Sequence, residues 1–150
     1  MKGKPDFIVH TDGGSRGNPG PAALGVVICD SQGQVLKAYG EYIGETTNND
    51  AEYQAAISAL KKIKSLWGKE KAKKSLVHIM ADSQLLVRQL KGEYKIENPR
   101  IQQFFITLWN LKIDFKEVTF EAIPREQNKE ADALCNEALD AKARTRSLFR

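Results

Sequence analysis

Residues 6–43, DFIVHTDGGSRGNPGPAALGVVICDSQGQVLKAYGEYI, decide the fold. Residues 6–12 are rich in β-branched and aromatic side chains and give way to a loop of Gly, Asn and Pro, which marks a strand ending at Asp12. Residues 22–30 and 35–43 read as two more strands. The turn Ser31-Gln32-Gly33-Gln34 between them is short enough to close a hairpin. Strands in this succession predict an antiparallel meander.

Beyond residue 48 the period changes. Ala55, Ala56, Ala59, Leu60, Ile63 and Leu66 keep the spacing of an amphipathic helix over residues 49–67. Residues 76–81 (LVHIMA) form a buried-looking strand that stops at Asp82, and Ser83-Gln84 opens a helix to about residue 90. Asn98-Pro99 starts another helix, with Pro in its first turn. That helix carries Ile101, Phe104, Phe105, Leu108, Trp109 and Leu111; Phe104, Phe105, Trp109 and Phe120 read as core. Residues 115–123 alternate as a strand and residues 128–143 form a last helix. The order β-β-β-α-β-α-α-β-α predicts an α/β fold, a mixed sheet with helices on its faces. Right-handed crossovers set its later strands parallel to the first. Sites in such sheets form beyond the carboxyl ends of the parallel strands, where Asp12 and Asp82 stand.

The 150 residues suit one domain, with a core over about 6–143 and a tail over 144–150 whose Leu148-Phe149 can dock on the body. No apolar run approaches the roughly 18–20 residues of a membrane span, and MKGKPDFIVH lacks the apolar core of a secretory signal. The expectation is a cytoplasmic protein with no membrane partner. Cys29 and Cys135 form no CxxC or Cys/His metal spacing and read as reduced core thiols. The net charge of +4 is compatible with a polyanionic partner. Lys61, Lys62, Lys64, Lys69, Lys71, Lys73 and Lys74 read as a solvated face, and His10 and His78 as strand packing.

Four acids stand in distinctive surroundings: Asp12 in TDGGSRGNPG, Glu52 closing TTNNDAE, Asp82 opening ADSQ and Asp132 ending NKEAD. Taken singly, each has a structural role open to it as a cap, a turn former or a first-turn charge. Glu52, however, falls on the apolar stripe of its helix, where an unpaired acid is costly. Carboxylates converging on one patch repel each other, and divalent metal relieves that repulsion. Two cations about 3.5–4 Å apart clamp the attacking and leaving oxygens of a phosphodiester. An oxygen-only ligand set without Cys or paired His points to two Mg2+ ions, with Mn2+ as a substitute.

The order and contexts of these acids resemble the type 1 ribonuclease H family. The matching stretches are TDGGSRGNPGPAALG, TTNNDAEYQAA, ADSQLLVRQL and PREQNKEADALCNEA, and the resemblance runs from Asp6 to about Ala143. It implies a ribonuclease H-like five-stranded mixed sheet, three antiparallel strands then two parallel, flanked by helices. It also implies a monomeric endoribonuclease that cuts the RNA strand of an RNA–DNA hybrid, leaving 5′-phosphate and 3′-hydroxyl ends. Asp12, Glu52, Asp82 and Asp132 map onto the family's catalytic, metal-holding carboxylates. For substrate binding, the Gly-rich loop Gly13, Gly14, Ser15 to Asn18 lets backbone approach a sugar. Asn18, Asn48, Asn49 and Gln84 are amides able to sense a 2′-hydroxyl, and they match minor-groove and backbone contacts. Thr47 resembles a residue contacting a DNA-strand phosphate. Two alternatives stand beside this reading: a related nuclease that also cuts double-stranded RNA, and a non-catalytic hybrid-binding module.

The chain departs from the family pattern in places. Arg125 occupies the site where many members carry a loop histidine; arginine does not release a proton but can hold a phosphate through its fork of donors. The basic protrusion of some bacterial members is missing, since KGEYKIENPR passes directly between helices. Glu45 stands where some relatives have an arginine. These departures predict weaker substrate binding.

Overall fold

A computed structural model describes residues 3–148. Its strands are β1 (Phe7–Ser15), β2 (Gly20–Cys29), β3 (Val35–Thr46), β4 (Leu76–Ala81) and β5 (Glu117–Ala122). Its helices are α1 (Asn48–Lys73), α2 (Gln84–Leu90), α3 (Pro99–Ile113) and α4 (Lys129–Leu148), with a short 3-10 turn at Arg125–Gln127. The strands form one sheet in the order β3-β2-β1-β4-β5. β1 pairs antiparallel with β2 and parallel with β4, and β4 pairs parallel with β5. The sheet is therefore the mixed, five-stranded arrangement that the sequence predicts.

Period-2 patterning sends Phe7, Val9, Val26, Ile28, Val77 and Ile79 to one face, where they pack against Ala56, Ala59, Leu60 and Ile63 of α1. On the other face α4 lies across β2, with Ala131 against Val27 and Cys135 against Ala23. That approach is backbone-close. A Cβ built on Gly25 would collide with the Ala131 carbonyl, so only glycine lets α4 settle there. The two thiols, Cys29 and Cys135, are free and buried. No described helix is long and apolar enough to cross a membrane.

Several sequence expectations shift. β1 does not end at Asp12: Gly13, Gly14 and Ser15 continue it, paired with Leu24, Ala23 and Ala22 of β2. Backbone donors and acceptors suffice for that ladder, so glycines do not break it. The parallel pairing with β4 does stop at Thr11↔Ala81, which leaves Asp12 one residue beyond it. α1 runs past residue 67 to Lys73, with a break at Gly68 (φ 88°, ψ 164°) where the apolar periodicity lapses. Leu66 and Trp109 are 48% and 53% exposed rather than core, because the neighbouring turns already bury their helices' inner faces. Trp67 does pack, tilted on Phe7 with ring centroids 5.0 Å apart. α4 extends through most of the expected tail; Leu148 is 80% exposed, and Phe149 lies outside the described residues.

Candidate active site

The four acids arrive on four different elements. Asp12 sits on β1 just past the parallel ladder, and Asp82 directly follows β4. Ser83 caps α2 by accepting from the Leu86 N–H at 3.1 Å, which turns the chain away from Asp82. Glu52 lies in the second turn of α1, whose start is capped by Thr47 Oγ1 accepting from the Asp50 N–H at 3.2 Å. A Cβ on Gly13 would strike the Ala51 backbone, so the glycine beside Asp12 is what lets α1 bring Glu52 in. Asp132 follows in the first turn of α4, its N–H donating to the Asn128 carbonyl at 3.1 Å. The buried Asn128 side chain donates from Nδ2 to the Thr11 carbonyl at 2.9 Å, fastening the start of α4 to β1 one residue before Asp12.

Asp12, Glu52, Asp82 and Asp132 all line one cleft of about 400 Å³. Of the other residues the sequence singled out, Gly13, Gly14, Ser15, Asn48 and Arg125 line it too. Electrostatics bind the set together. Burial, and then the Asp82 charge, push the Asp12 carboxyl up to about 8, with a hydrogen bond to Asp132 and the charges of Asp132 and Glu52 adding to it. Burial pushes Glu52 up to about 7, helped by Asp82 and opposed by a hydrogen bond with Ser83. Arg125 reaches to 3.6 Å from Asp132 and is itself 75% exposed.

The substrate-binding candidates separate into groups. Asn48 Oδ1 accepts from the Ser15 N–H at 2.8 Å and the Ser15 hydroxyl at 3.2 Å, while the Asn48 N–H donates to Asn18 Oδ1 at 3.1 Å. Ser15, Asn18 and Asn48 thus form one network at the rim. Thr47 is the α1 cap, and Asn49 Oδ1 is buried without a hydrogen-bond partner among the described residues. Gln84 lines a different, neighbouring cleft with Arg88, Lys91 and Tyr94.

The carboxylate cleft is also lined by Arg16, Asn136 and Leu139, which the sequence did not single out, and by Cys135, which it placed in the core. Asn136 falls one helical turn after Asp132, a spacing that would have found it. Arg16 Nη2 pairs with Asp140 Oδ1 at 2.6 Å across a long sequence gap, for which no local signal exists. The Cys135 thiol is pushed up to about 12 by burial, then by Asp12 and Asp132, and it donates to the Ala23 carbonyl at 3.2 Å. It is therefore an inert core thiol at the cleft wall.

Among the described residues, no three His, Cys, Asp or Glu side chains are already arranged to grip an ion. What fits a divalent cation is the donor chemistry, carboxylate oxygens alone, together with the burial and mutual repulsion that raise the proton affinity of Asp12 and Glu52.

The fold and this cleft define the class of protein. The family model described as reverse transcriptase-like matches residues 10–138. A crystal structure of LC11-RNase H1 in complex with RNA/DNA hybrid superposes with a TM-score of 0.86 at 44% identity, covering 91% of this chain and 99% of that one. The ribonuclease HI of Halobacterium salinarum is 38% identical over 131 residues, 87% of this chain and 63% of that protein. A bifunctional protein of Mycobacterium tuberculosis is 36% identical over 139 residues, 92% of this chain but 36% of its own length. The chain belongs to the type 1 ribonuclease H family. It spans about a third of the mycobacterial relative and just under two thirds of the halobacterial one.

Proposed function

We propose that the chain is a metal-dependent endoribonuclease that hydrolyses the RNA strand of RNA–DNA hybrids. One observation carries the reading: Asp12, Glu52, Asp82 and Asp132 line a single cleft, and the Asp12 carboxyl feels all three of the others. A binding module gains nothing from that repulsion. Asp12, Glu52, Asp82 and Asp132 would together hold the magnesium. When bound there, magnesium supplies the charge that activates water and stabilises the leaving 3′ oxygen, giving 5′-phosphate and 3′-hydroxyl ends.

The remaining work falls to the chain's own groups. Gly13 and Gly14 present backbone without side chains, and the Ser15–Asn18–Asn48 network sets amide groups at the rim for ribose hydroxyls. Arg125, close to Asp132 at the mouth, holds a phosphate oxygen and moves no proton. The complex of LC11-RNase H1 with an RNA/DNA hybrid supports the choice of substrate.

The test incubates wild type and Asp12→Asn with end-labelled hybrid, double-stranded RNA and double-stranded DNA, with magnesium, manganese or EDTA. The proposal expects metal-dependent cutting of the hybrid's RNA strand alone, lost in the variant. Comparable cutting of double-stranded RNA would replace it with the broader nuclease, and binding without cutting would leave only a hybrid-binding module.

A further inference from the structure

The carboxylate cleft opens into a second hollow. Arg16 and Leu139, which line the cleft, also line a groove of about 290 Å³ between the β1–β2 loop and the distal half of α4. The sign of the surface reverses there. Besides Arg16, the groove is lined by Lys142, Arg146 and Ser147, and among the described residues no acid lines it. Asp140 accepts from Arg16 Nη2 at 2.6 Å, with the two side chains 51% and 45% exposed. A pair so open to solvent, made through one nitrogen rather than a two-point fork, adds little to stability. Its effect is to hold Arg16 at the junction of the two hollows.

Lys142 and Arg146 are held as well. They stand four residues apart on α4 and share one aromatic support. Lys142 Nζ lies 5.1 Å from the centroid of the Tyr42 ring, and the Arg146 guanidinium 5.9 Å from it. Arg146 Nη2 also donates to the Tyr42 hydroxyl at 2.9 Å. Like charges at this spacing repel, and Arg16 adds a third cation from another element. The last turn of a helix favours a cation, which accounts for the charge on Arg146. It does not account for three cations from a loop and a helix converging on one groove. A polyanion does. From Leu139 to Arg146 the helix rises about 10 Å, room for about three nucleotides at about 3.4 Å of rise per strand.

We propose that the groove of Arg16, Lys142 and Arg146 carries the flank of the strand being cut, binding its backbone phosphates about two to three nucleotides from the scissile bond. The inference rests on the hybrid-cleavage reading for its ligand. The strand whose scissile phosphate lies among the carboxylates is the RNA strand, and the groove continues that cleft, so the same strand enters it. Asp140 and Tyr42 are the positioning residues. Carboxylates hold metal where the bond breaks, and cations hold the chain where it leaves.

The test measures hybrid binding by fluorescence anisotropy in magnesium across a salt series, with Asp12→Asn as the parent so that the duplex stays intact. Adding Lys142→Gln and Arg146→Gln is expected to weaken binding about tenfold and to reduce the slope of log affinity against log salt by about 1.8, two phosphate contacts. Lys73→Gln with Lys74→Gln removes the same charge at the far end of α1 and should leave the slope unchanged, because salt screens distant charges. A second measurement replaces single phosphates of either strand with neutral methylphosphonates. At least one RNA-strand position beside the scissile bond must weaken binding to the parent and become silent in the Lys142→Gln, Arg146→Gln protein. Should that protein not fold, Arg16→Gln decides, since it lies on another element and must blunt the response of the same stretch of RNA. An unchanged slope, an equal fall in the Lys73→Gln, Lys74→Gln protein, or silencing confined to the DNA strand overturns the inference. If the wild type fails to cut the hybrid while the slope falls as stated, the functional reading sinks and the groove stands; cutting with an unchanged slope does the reverse.

Discussion

Asp12→Asn should stabilise the metal-free protein while abolishing its activity. In the folded chain the Asp12 carboxyl is pushed from 3.8 to about 8 by burial and by Asp82, Asp132 and Glu52. Each tenfold change in proton affinity is worth about 1.4 kcal/mol, so the charged form costs several kcal/mol near neutrality. Solvent reaching the open cleft and the proton shared with Asp132 reduce this, leaving about 2 kcal/mol at pH 8. The sign follows from the raised value: the folded state holds the proton more tightly, so the contribution of Asp12 to stability is full below about pH 4 and is lost as pH rises towards 8. Asn carries no charge and escapes that loss. Urea unfolding in EDTA at pH 4.5 and pH 8 checks it, because the two proteins should nearly coincide at the lower pH and diverge at the higher. Adding magnesium should stabilise wild type and narrow the gap, as a ligand of the folded state does. A variant no more stable than wild type at pH 8 in EDTA would refute the electrostatic reasoning for the cleft.

Other positions give sharper structural outcomes. Gly13→Ala drives a Cβ into the Ala51 backbone; α1 must shift, and both melting temperature and hybrid cleavage should fall, whereas Gly33→Ala at an open turn should leave cleavage untouched. Asn128→Ala removes the Nδ2 bond to the Thr11 carbonyl and should cost about 1–3 kcal/mol in chemical unfolding. It should also lower kcat more than it raises KM, because Asp132 loses its register with Asp12. Arg125→Ala breaks a 3.6 Å ion pair whose arginine is 75% exposed, so stability should change by less than about 1 kcal/mol. The pH–rate profile should keep its shape, and a lost limb in that profile would assign Arg125 a proton-transfer role the chemistry of arginine denies.

Much of this was readable from the chain because local rules were obeyed. Ser83 and Asn98 cap the helices their positions suggested, and LVHIMA is the strand its apolar run predicted. Glu52 on an apolar stripe was the clearest sign of a site, since the pattern makes no sense without a purpose for the acid. Legibility failed where tertiary contacts decide. Leu66 and Trp109 follow the right period but stand at the outer edge of their helices' apolar faces, half exposed. Gly13–Ser15 look like loop by composition, yet β2 supplies the ladder that holds them in β1. Gln84 matched the family motif but opens on a separate cleft, and Arg16 enters the carboxylate cleft from a loop whose partner, Asp140, lies on the last helix. Arg100 and Asp50 meet only after α1 and α3 pack.

We propose that the four carboxylates brought together by β1, α1, β4 and α4 form one metal-dependent cutting site. Its most direct test is the single-turnover cleavage rate of an end-labelled hybrid against magnesium concentration, for wild type and for Asp12→Asn, Glu52→Gln, Asp82→Asn and Asp132→Asn. Cleavage should be absent in EDTA, rise steeply with magnesium in wild type, and fall by about 100-fold or more in each variant, on the scale of removing a principal electrostatic contributor. Undiminished cleavage in EDTA, or a wild-type rate in Asp12→Asn, would contradict it.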